Sequence, residues 1–409
     1  MSVDYTLRTG LRLAVLQSTS VCNLNCTYCY VPGRRQHGRM SERVLRAAAS
    51  YLFAREEKDR SVDRCVEFLW HAGEPLAAGM AFYTRAFAII ASLAPPGVSV
   101  RHVMQTNGTL VNTAWYEFFR EYGVRIGVSI DGPADLHDSN RRTWGDQVSH
   151  GRVMRGYRLL REYGFNPSAL CVLTKESLMQ ADQIYDFFVE EGFTSIAFNV
   201  DEKEGANATS SLSQEDVVSV QQKYAAFMRR LWHRWRADDG RLNIREFDHI
   251  LACIRNLQTD PSFFREPDEV VPFGIITISR DGGISTFAPE LASTTSKEYG
   301  DFVLGNVLTD TPDDVEKGQA FQRLTGEVLA GRDLCRQTCQ YYPLCGGGFQ
   351  SNRIAEHRSL RATETQTCKL HRQTLIDVIV DELIRETNAI RVVPEVTEAE
   401  DSCLGPNSC

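Results

Sequence analysis

The chain has 409 residues, 43% hydrophobic and 24% charged, which is ordinary globular composition. A formal charge of −8 excludes a protein that wraps nucleic acid nonspecifically, because that binding needs a surplus of lysine and arginine. Nothing approaches the run of about 18 apolar residues that spans a membrane, and twelve cysteines are too dilute for a disulfide-stapled mini-domain.

The first residues, MSVDYTLRTG, lack the basic start and apolar run of a secretory signal, so a cytoplasmic location is expected. Short β-branched runs at 11–17, 66–70, 100–105, 124–130, 169–174 and 195–200 then alternate with amphipathic stretches. Those stretches lie at 41–54, 81–93, 113–122, 151–163 and 178–191. Repeated strand–helix units imply right-handed crossovers and a parallel sheet. Six of them predict an α/β fold with a partial (β/α)6 barrel, whose chemistry gathers after the C-terminal ends of the strands.

A polar, turn-rich stretch at 201–213 and a long helix at 214–235 close this first domain, expected over 1–236. A hairpin at 273–287 turns around Asp281-Gly282-Gly283. A cysteine-dense loop and a final helix at 365–385 complete a smaller unit, expected over 237–394. The tail at 395–409 carries four carboxylates and no base, and reads as a disordered acidic end.

Directly after the first strand comes Cys22-x3-Cys26-x2-Cys29. Three thiolates on one loop can face one point, and a 4Fe–4S cluster held by three cysteines keeps one iron open for another ligand. A zinc knuckle is the alternative, although structural zinc usually closes with four ligands. With Tyr28 before the last cysteine, the motif resembles the signature of radical S-adenosylmethionine (SAM) enzymes. That resemblance implies SAM chelated at the open iron and its reductive cleavage to a 5′-deoxyadenosyl radical.

Later strand ends carry matching features. Gly73-Glu74-Pro75, with His71 and Ala72 as departures just before it, resembles the family segment that contacts the methionine amino group. Thr106-Asn107-Gly108 ends the third strand, and Ser129-Ile130-Asp131-Gly132 the fourth. By resemblance Ser129 and Asp131 lie near the ribose and carboxylate of SAM, and Arg141 and Arg142 belong to the segment whose arginine meets that carboxylate.

A second group, Cys335-x3-Cys339-x5-Cys345-Gly-Gly-Gly and Cys368, resembles the SPASM domain, which carries auxiliary 4Fe–4S clusters in radical SAM enzymes acting on peptides. The hairpin that would hold ligands of one auxiliary cluster has none, with Phe287 and Ala288 where a cysteine is expected, and Phe349 replaces another. One auxiliary cluster on the four remaining cysteines is therefore expected, with tetrahedral zinc as the alternative. Cys65, Cys171 and Cys253 read as small hydrophobes, and Cys403 and Cys409 fall in the tail.

Segments 286–291, 299–307 and 339–348 resemble the cyclophane-forming peptide maturases of the GrrM/OscB type. The resemblance implies an oxidoreductase acting on a ribosomally made precursor peptide, supplied with electrons by an external one-electron donor. The product would be a carbon–carbon macrocycle between an aromatic ring and a nearby Cβ. Its ring adduct must lose one electron and one proton, and Glu290 and Asp281, beside the hairpin, are the candidate bases. With 21 residues before Cys22, the precursor is expected to dock on the barrel or the C-terminal domain, by adding a strand to an exposed edge, or through a separate partner. Thioether formation, formylglycine formation and a noncatalytic redox protein are the competing readings.

Overall fold

The computed structural model describes residues 11–59 and 64–392; the acidic tail with Cys403 and Cys409 lies outside these residues. The first half runs β1 (Leu13–Leu16), α1 (Glu42–Asp59), β2 (Cys65–Trp70), α2 (Met80–Leu93), β3 (Ser99–Thr106), α3 (Thr113–Tyr122) and β4 (Arg125–Ser129). It continues with α4 (Ala134–Asn140), α5 (His150–Glu162), β5 (Ser168–Leu173), α6 (Ala181–Glu190), β6 (Ser195–Val200) and α7 (Val217–Ala237). All six expected strands are present, and β6 matches its expected limits.

Local chemistry sets the helix limits. Asn112 caps α3 by accepting from the Trp115 N–H at 3.1 Å, and Gly123 ends it in a left-handed conformation. Asp216 caps α7 through the N–H groups of Val218 and Ser219, which moves its start from the expected 214 to 217. Strands β2, β5 and β6 bury alternate residues completely. One face packs on the helices and the other lines the barrel interior. Between β2 and α2 an aromatic layer forms: Trp70 lies edge-on to Tyr83 at 5.1 Å, and Phe87 stacks on His102 at 3.7 Å.

The sheet does not stop at residue 236. A two-residue strand β7 (Asn243–Ile244) pairs with β6, and α8 (Arg245–Thr259) follows it. The hairpin β8 (Ile275–Ile278) and β9 (Gly283–Thr286) is antiparallel as expected. Strand β8 also lies parallel against β1, with Leu13 opposite Ile275 and Leu16 opposite Ile278. With β10 (Gly305–Asn306) the order is β10-β9-β8-β1-β2-β3-β4-β5-β6-β7, an open, mostly parallel α/β sheet. One apolar core runs from Leu16 and Phe68 through Ile276 to Ile379.

The C-terminal part is helical: α9 (Pro312–Lys317), α10 (Gln319–Thr338), α11 (Tyr342–Cys345), α12 (Gln350–His357), α13 (Gln366–Cys368) and α14 (Leu375–Val392). The expected final helix contains a π-helical turn, Lys369–Thr374, between α13 and α14. A π turn adds a residue to the repeat and re-aims the side chains it carries. No helix of the described residues is long and apolar enough to cross a membrane.

Because β8 completes the pairing of β1, a fragment ending at residue 236 exposes the β1 edge and loses half of the hydrogen-bonded support of the strand below the first thiol loop. Such a fragment is expected to aggregate or melt without a cooperative transition, whereas the full chain melts cooperatively in calorimetry.

Candidate active site

The loop after β1 is clamped from outside by the segment that follows α4. The Asn25 N–H donates to the Arg142 carbonyl at 2.6 Å and the Thr27 N–H to that of Asn140 at 3.1 Å. The Trp144 indole donates to the Cys22 carbonyl at 2.8 Å. So held, Cys22, Cys26 and Cys29 face one end of a cavity of about 570 Å³ at the C-terminal edge of the strands. Burial pushes the Cys22 thiol up to about 12 and the Cys26 thiol up to about 11.

Gly73 turns beneath this loop at φ +62°, and a Cβ there would come within 2.7 Å of the carbonyl oxygens of Thr19 and Val21. Only glycine allows that approach. Below it Glu74 is wholly buried. One of its oxygens accepts from Thr106 Oγ1 at 2.6 Å and the Leu76 N–H at 3.0 Å, the other from the Asn107 N–H at 2.7 Å. Burial raises its pKa and the hydrogen bonds oppose the rise. Asn107 in turn reaches Cys22 Sγ at 3.8 Å and Asn23 at 2.9 Å. Glu74 and Thr106 thus brace the wall from behind while Gly73 and Asn107 form it. Pro75 starts a short 3-10 turn and gives its carbonyl to Tyr83.

Arg141, buried in the cavity wall, grips Asp131 through two nitrogens at 2.9 and 3.0 Å and lies 5.3 Å over the Tyr28 ring. Asp131 also accepts from the Tyr28 hydroxyl and the Val172 N–H. With its acceptor positions engaged, Asp131 orients Arg141 and Tyr28. Ser129 lines the cavity and accepts from Gln105 at 2.9 Å.

Two expected residues lie elsewhere. Arg142 forms an ion pair with Asp146 at 2.5 Å and bonds the Asp138 carbonyl, which keeps its guanidinium outside the cavity. Asp281 sits at the hairpin tip, 81% exposed beside Arg280, and is corrected as a base candidate because the turn directs it to solvent. Glu290 does face the cavity.

The strand ends contribute groups no motif announced. Glu202 and Glu204, in the polar stretch after β6, share the cavity with Glu290. Asn352 donates to Glu202 at 2.8 Å and Ser351 lies 3.3 Å from Glu204. Desolvation and mutual repulsion raise Glu202 to about 8 and Glu204 well above the usual range. Desolvation raises Glu290 to about 7. The Tyr30 hydroxyl and His71 Nδ1 are buried without partners, and desolvation lowers His71 to about 4, so its ring is neutral. Position after a strand end was the available signal for all of them. His371 and Arg372, on the π turn, close the far wall.

Cys335 and Cys345 are buried, Cys339 and Cys368 partly so. The Cys368 thiol is pushed up by burial and by the other three, which places all four in one neighbourhood. The glycines after Cys345 admit a protein segment: a Cβ on Gly346 would lie 2.2 Å from the Arg265 carbonyl. Cys171 is buried in β5, Cys65 opens β2, and Cys253 lies buried in α8. Trp232 packs against Trp235 and Phe247, as expected of a helix interface.

The radical SAM superfamily model matches residues 16–188. Over 93% of the chain an uncharacterized protein of Synechocystis sp. is 37% identical, with 94% of that protein covered. The chain belongs to the radical SAM superfamily. A serine-type anaerobic sulfatase-maturating enzyme of Klebsiella aerogenes is 32% identical over 60% of the chain, which spans 62% of that enzyme's length. Among solved structures, native anSMEcpe with bound AdoMet superposes with a TM-score of 0.73 at 22% identity, covering 93% of this chain and all of that one.

SAM and 4Fe–4S iron–sulfur chemistry are accordingly the cofactors of this radical SAM protein. Its residues fit them. The cavity size suits one small ligand, thiols stand at one end, and the buried, unpartnered Tyr30 hydroxyl and His71 Nδ1 await a polar partner.

Gly73→Ala is expected to cost about 1–3 kcal/mol from the left-handed backbone alone, with the clash adding to it. Thermal melting and iron bound per chain both read this, and unchanged values of both would contradict the wall described. The cavity carboxylates give a pH signature. Glu202 and Glu290 are raised from the usual 4.5 to about 8 and about 7, so the folded chain holds protons that the unfolded chain releases. Their stabilising contribution is complete below about pH 4.5 and disappears as pH climbs through 7–8. Glu202→Gln should flatten the fall in Tm between about pH 4.5 and 8.

Proposed function

We propose that this radical SAM protein is a peptide maturase, an oxidoreductase that joins an aromatic side chain to a nearby Cβ in a ribosomally made precursor. The observation that carries the reading is a single cavity lined both by cluster-type thiols and by three carboxylates raised by burial. Similarity to sulfatase-maturating enzymes supports a polypeptide substrate.

In this proposal Cys22, Cys26 and Cys29 hold the SAM-binding cluster, and Cys335, Cys339, Cys345 and Cys368 hold a single auxiliary cluster. Gly73, Asn107, Ser129 and Arg141 line the SAM site, with Tyr28, Glu74, Pro75, Thr106 and Asp131 as their supports. When bound, these groups would supply a hydrogen-abstracting radical and a one-electron acceptor, with an external one-electron donor serving the reductive cleavage of SAM.

The protein's own part is positioning, exclusion of water and proton transfer. The substrate Cβ gives up a hydrogen atom, and its radical bonds to the aromatic ring. The ring adduct then sheds one electron and one proton, restoring aromaticity. Glu290, near neutral pKa, is suited to take that proton. Glu202 and Glu204 beside it stand ready to share the charge.

An apolar cluster supports a carbon–carbon product over formylglycine. Phe287, Ala288, Val270, Leu291 and Phe302 pack together where ligands of a second auxiliary cluster would be needed. The sulfatase-type pattern that places cysteines there is thereby replaced by a dry core.

Reduced, anaerobic protein with SAM and a glycine-rich peptide containing aromatic residues should release 5′-deoxyadenosine and yield a peptide lighter by two hydrogen atoms. Fragmentation should show a bridged segment inert to thiol alkylation and to aldehyde probes. An aldehyde would establish formylglycine formation instead, and no 5′-deoxyadenosine would sink the catalytic reading. Glu290→Gln should still release 5′-deoxyadenosine but lower crosslinked product by about 10²–10⁴-fold. The wild-type rate should rise with pH through about 7 as Glu290 ionises.

A further inference from the structure

Four arginines are buried among the described residues: Arg55, Arg141, Arg332 and Arg353. The first three each meet a carboxylate, Asp59 at 2.5 Å, Asp131 at 2.9 Å and Asp333 at 2.9 Å. Arg353, on α12 and only 1% exposed, is different. Its guanidinium donates to the Leu360 carbonyl at 3.0 Å, the Gly347 carbonyl at 3.1 Å and Cys335 Sγ at 3.1 Å. The two carbonyls are neutral, and so is cysteine as a thiol. A guanidinium cannot shed its proton inside a protein, and a buried charge without a counter-charge is strongly disfavoured. The sulfur is the one partner of the three that can become an anion, which it does as an iron-bound thiolate.

The neighbourhood is shaped for this contact. Gly331 sits inside α10, where glycine weakens a helix. A Cβ there would lie 2.4 Å from Arg353 Nη1 and 2.1 Å from the Leu360 carbonyl. Helix α12 also turns the other way: Asn352 and Ser351, just before Arg353, reach Glu202 and Glu204 in the cavity.

We infer that Arg353 is a positioning residue that sets the reduction potential of the auxiliary cluster through a charged N–H···S bond to Cys335. The inference rests on the reading of the four C-terminal cysteines as cluster ligands. Reduction adds negative charge to a cluster, so a cation bonded to one of its sulfurs favours the reduced form and raises the potential. Arg353 thereby makes the cluster a better acceptor for the single electron that the ring adduct must lose.

The full chain carrying Cys22→Ala, Cys26→Ala and Cys29→Ala isolates the auxiliary site. Anaerobic loading with iron and sulfide should give about four irons per chain, and the EPR signal of the reduced cluster is followed in a redox titration. On that background Arg353→Gln should shift the reduced-to-oxidised ratio at fixed potential at least tenfold toward oxidised, a midpoint about 59 mV lower for one electron. Arg353→Lys, which keeps the charge without the fork, should fall by less. Loaded variants with unchanged midpoints overturn the inference while leaving the auxiliary cluster intact. If the Gln variant fails to load, Arg353→Met takes its place as the neutral variant, and an unchanged Met midpoint overturns the inference. A parent protein that binds no iron removes the auxiliary-cluster reading itself, and this inference with it.

Discussion

The buried carboxylate of Glu74 is the constraint on which the site depends. It is shielded from water, yet three hydrogen bonds from Leu76, Thr106 and Asn107 converge on it. An unpaired carboxylate at that depth would be far more costly than any one of those bonds is favourable. The ends of β2 and β3 therefore cannot separate without exposing it. Gly73 is fixed immediately above, and through Gly73 the thiol loop is held against the sheet at van der Waals distance. Asn107 carries the same restraint upward to Cys22. A residue expected to touch the ligand instead acts from behind, by making the wall rigid.

A second consequence of burial is the division of labour along the cavity. Arg141 and Asp131 neutralise one another, so the thiol end has a fixed, paired electrostatic character. The end formed by Glu202, Glu204 and Glu290 gathers three carboxylates whose pKa values rise chiefly through desolvation, with repulsion from Glu290 adding to the rise at Glu202 and Glu204. Helix α12 spans the gap between this end and the C-terminal thiols, bonding Glu202 and Glu204 on one side and Cys335 on the other. Proton acceptor and electron acceptor would thus be steered by adjacent residues of one short helix. A reaction that must lose both from the same adduct gains from that proximity.

The strands were legible because parallel strands buried on both sides are written as β-branched runs, and β6 could be read to its ends. Helix α4, seven residues rich in aspartate, serine and asparagine, left no apolar period to read. Strands β7 and β10, two residues each, exist only through their partners. The thiols were legible from spacing alone. The carboxylate group was not: Glu202 and Glu204 sit in an ordinary-looking polar turn, and Glu290 lies 86 residues later than Glu204. Only the pairing of β8 with β1 brings Glu290 to the edge where β6 delivers the other two. Asp281, at the tip of the hairpin, is turned to solvent even though the tip lies beside the end of β1.

Phenylalanines stand at two positions where the SPASM resemblance expects cysteines, and both carry backbone strain. Phe287 and Phe349 both hold left-handed backbone, at φ 72° and 68°. That conformation costs a non-glycine residue about 1–2 kcal/mol. Phe287 is fully buried among Val270, Leu291 and Phe302, and burying such a ring contributes about 1.5–3 kcal/mol. Burial therefore meets or exceeds the strain. Phe349 is only partly buried, but the Arg372 guanidinium lies 4.8 Å over its ring and both line the cavity. One phenylalanine fills space in an apolar core and the other forms part of the cavity wall. Phe287 thus stabilises the packing beside the hairpin, whereas Phe349 helps set the shape of the cavity.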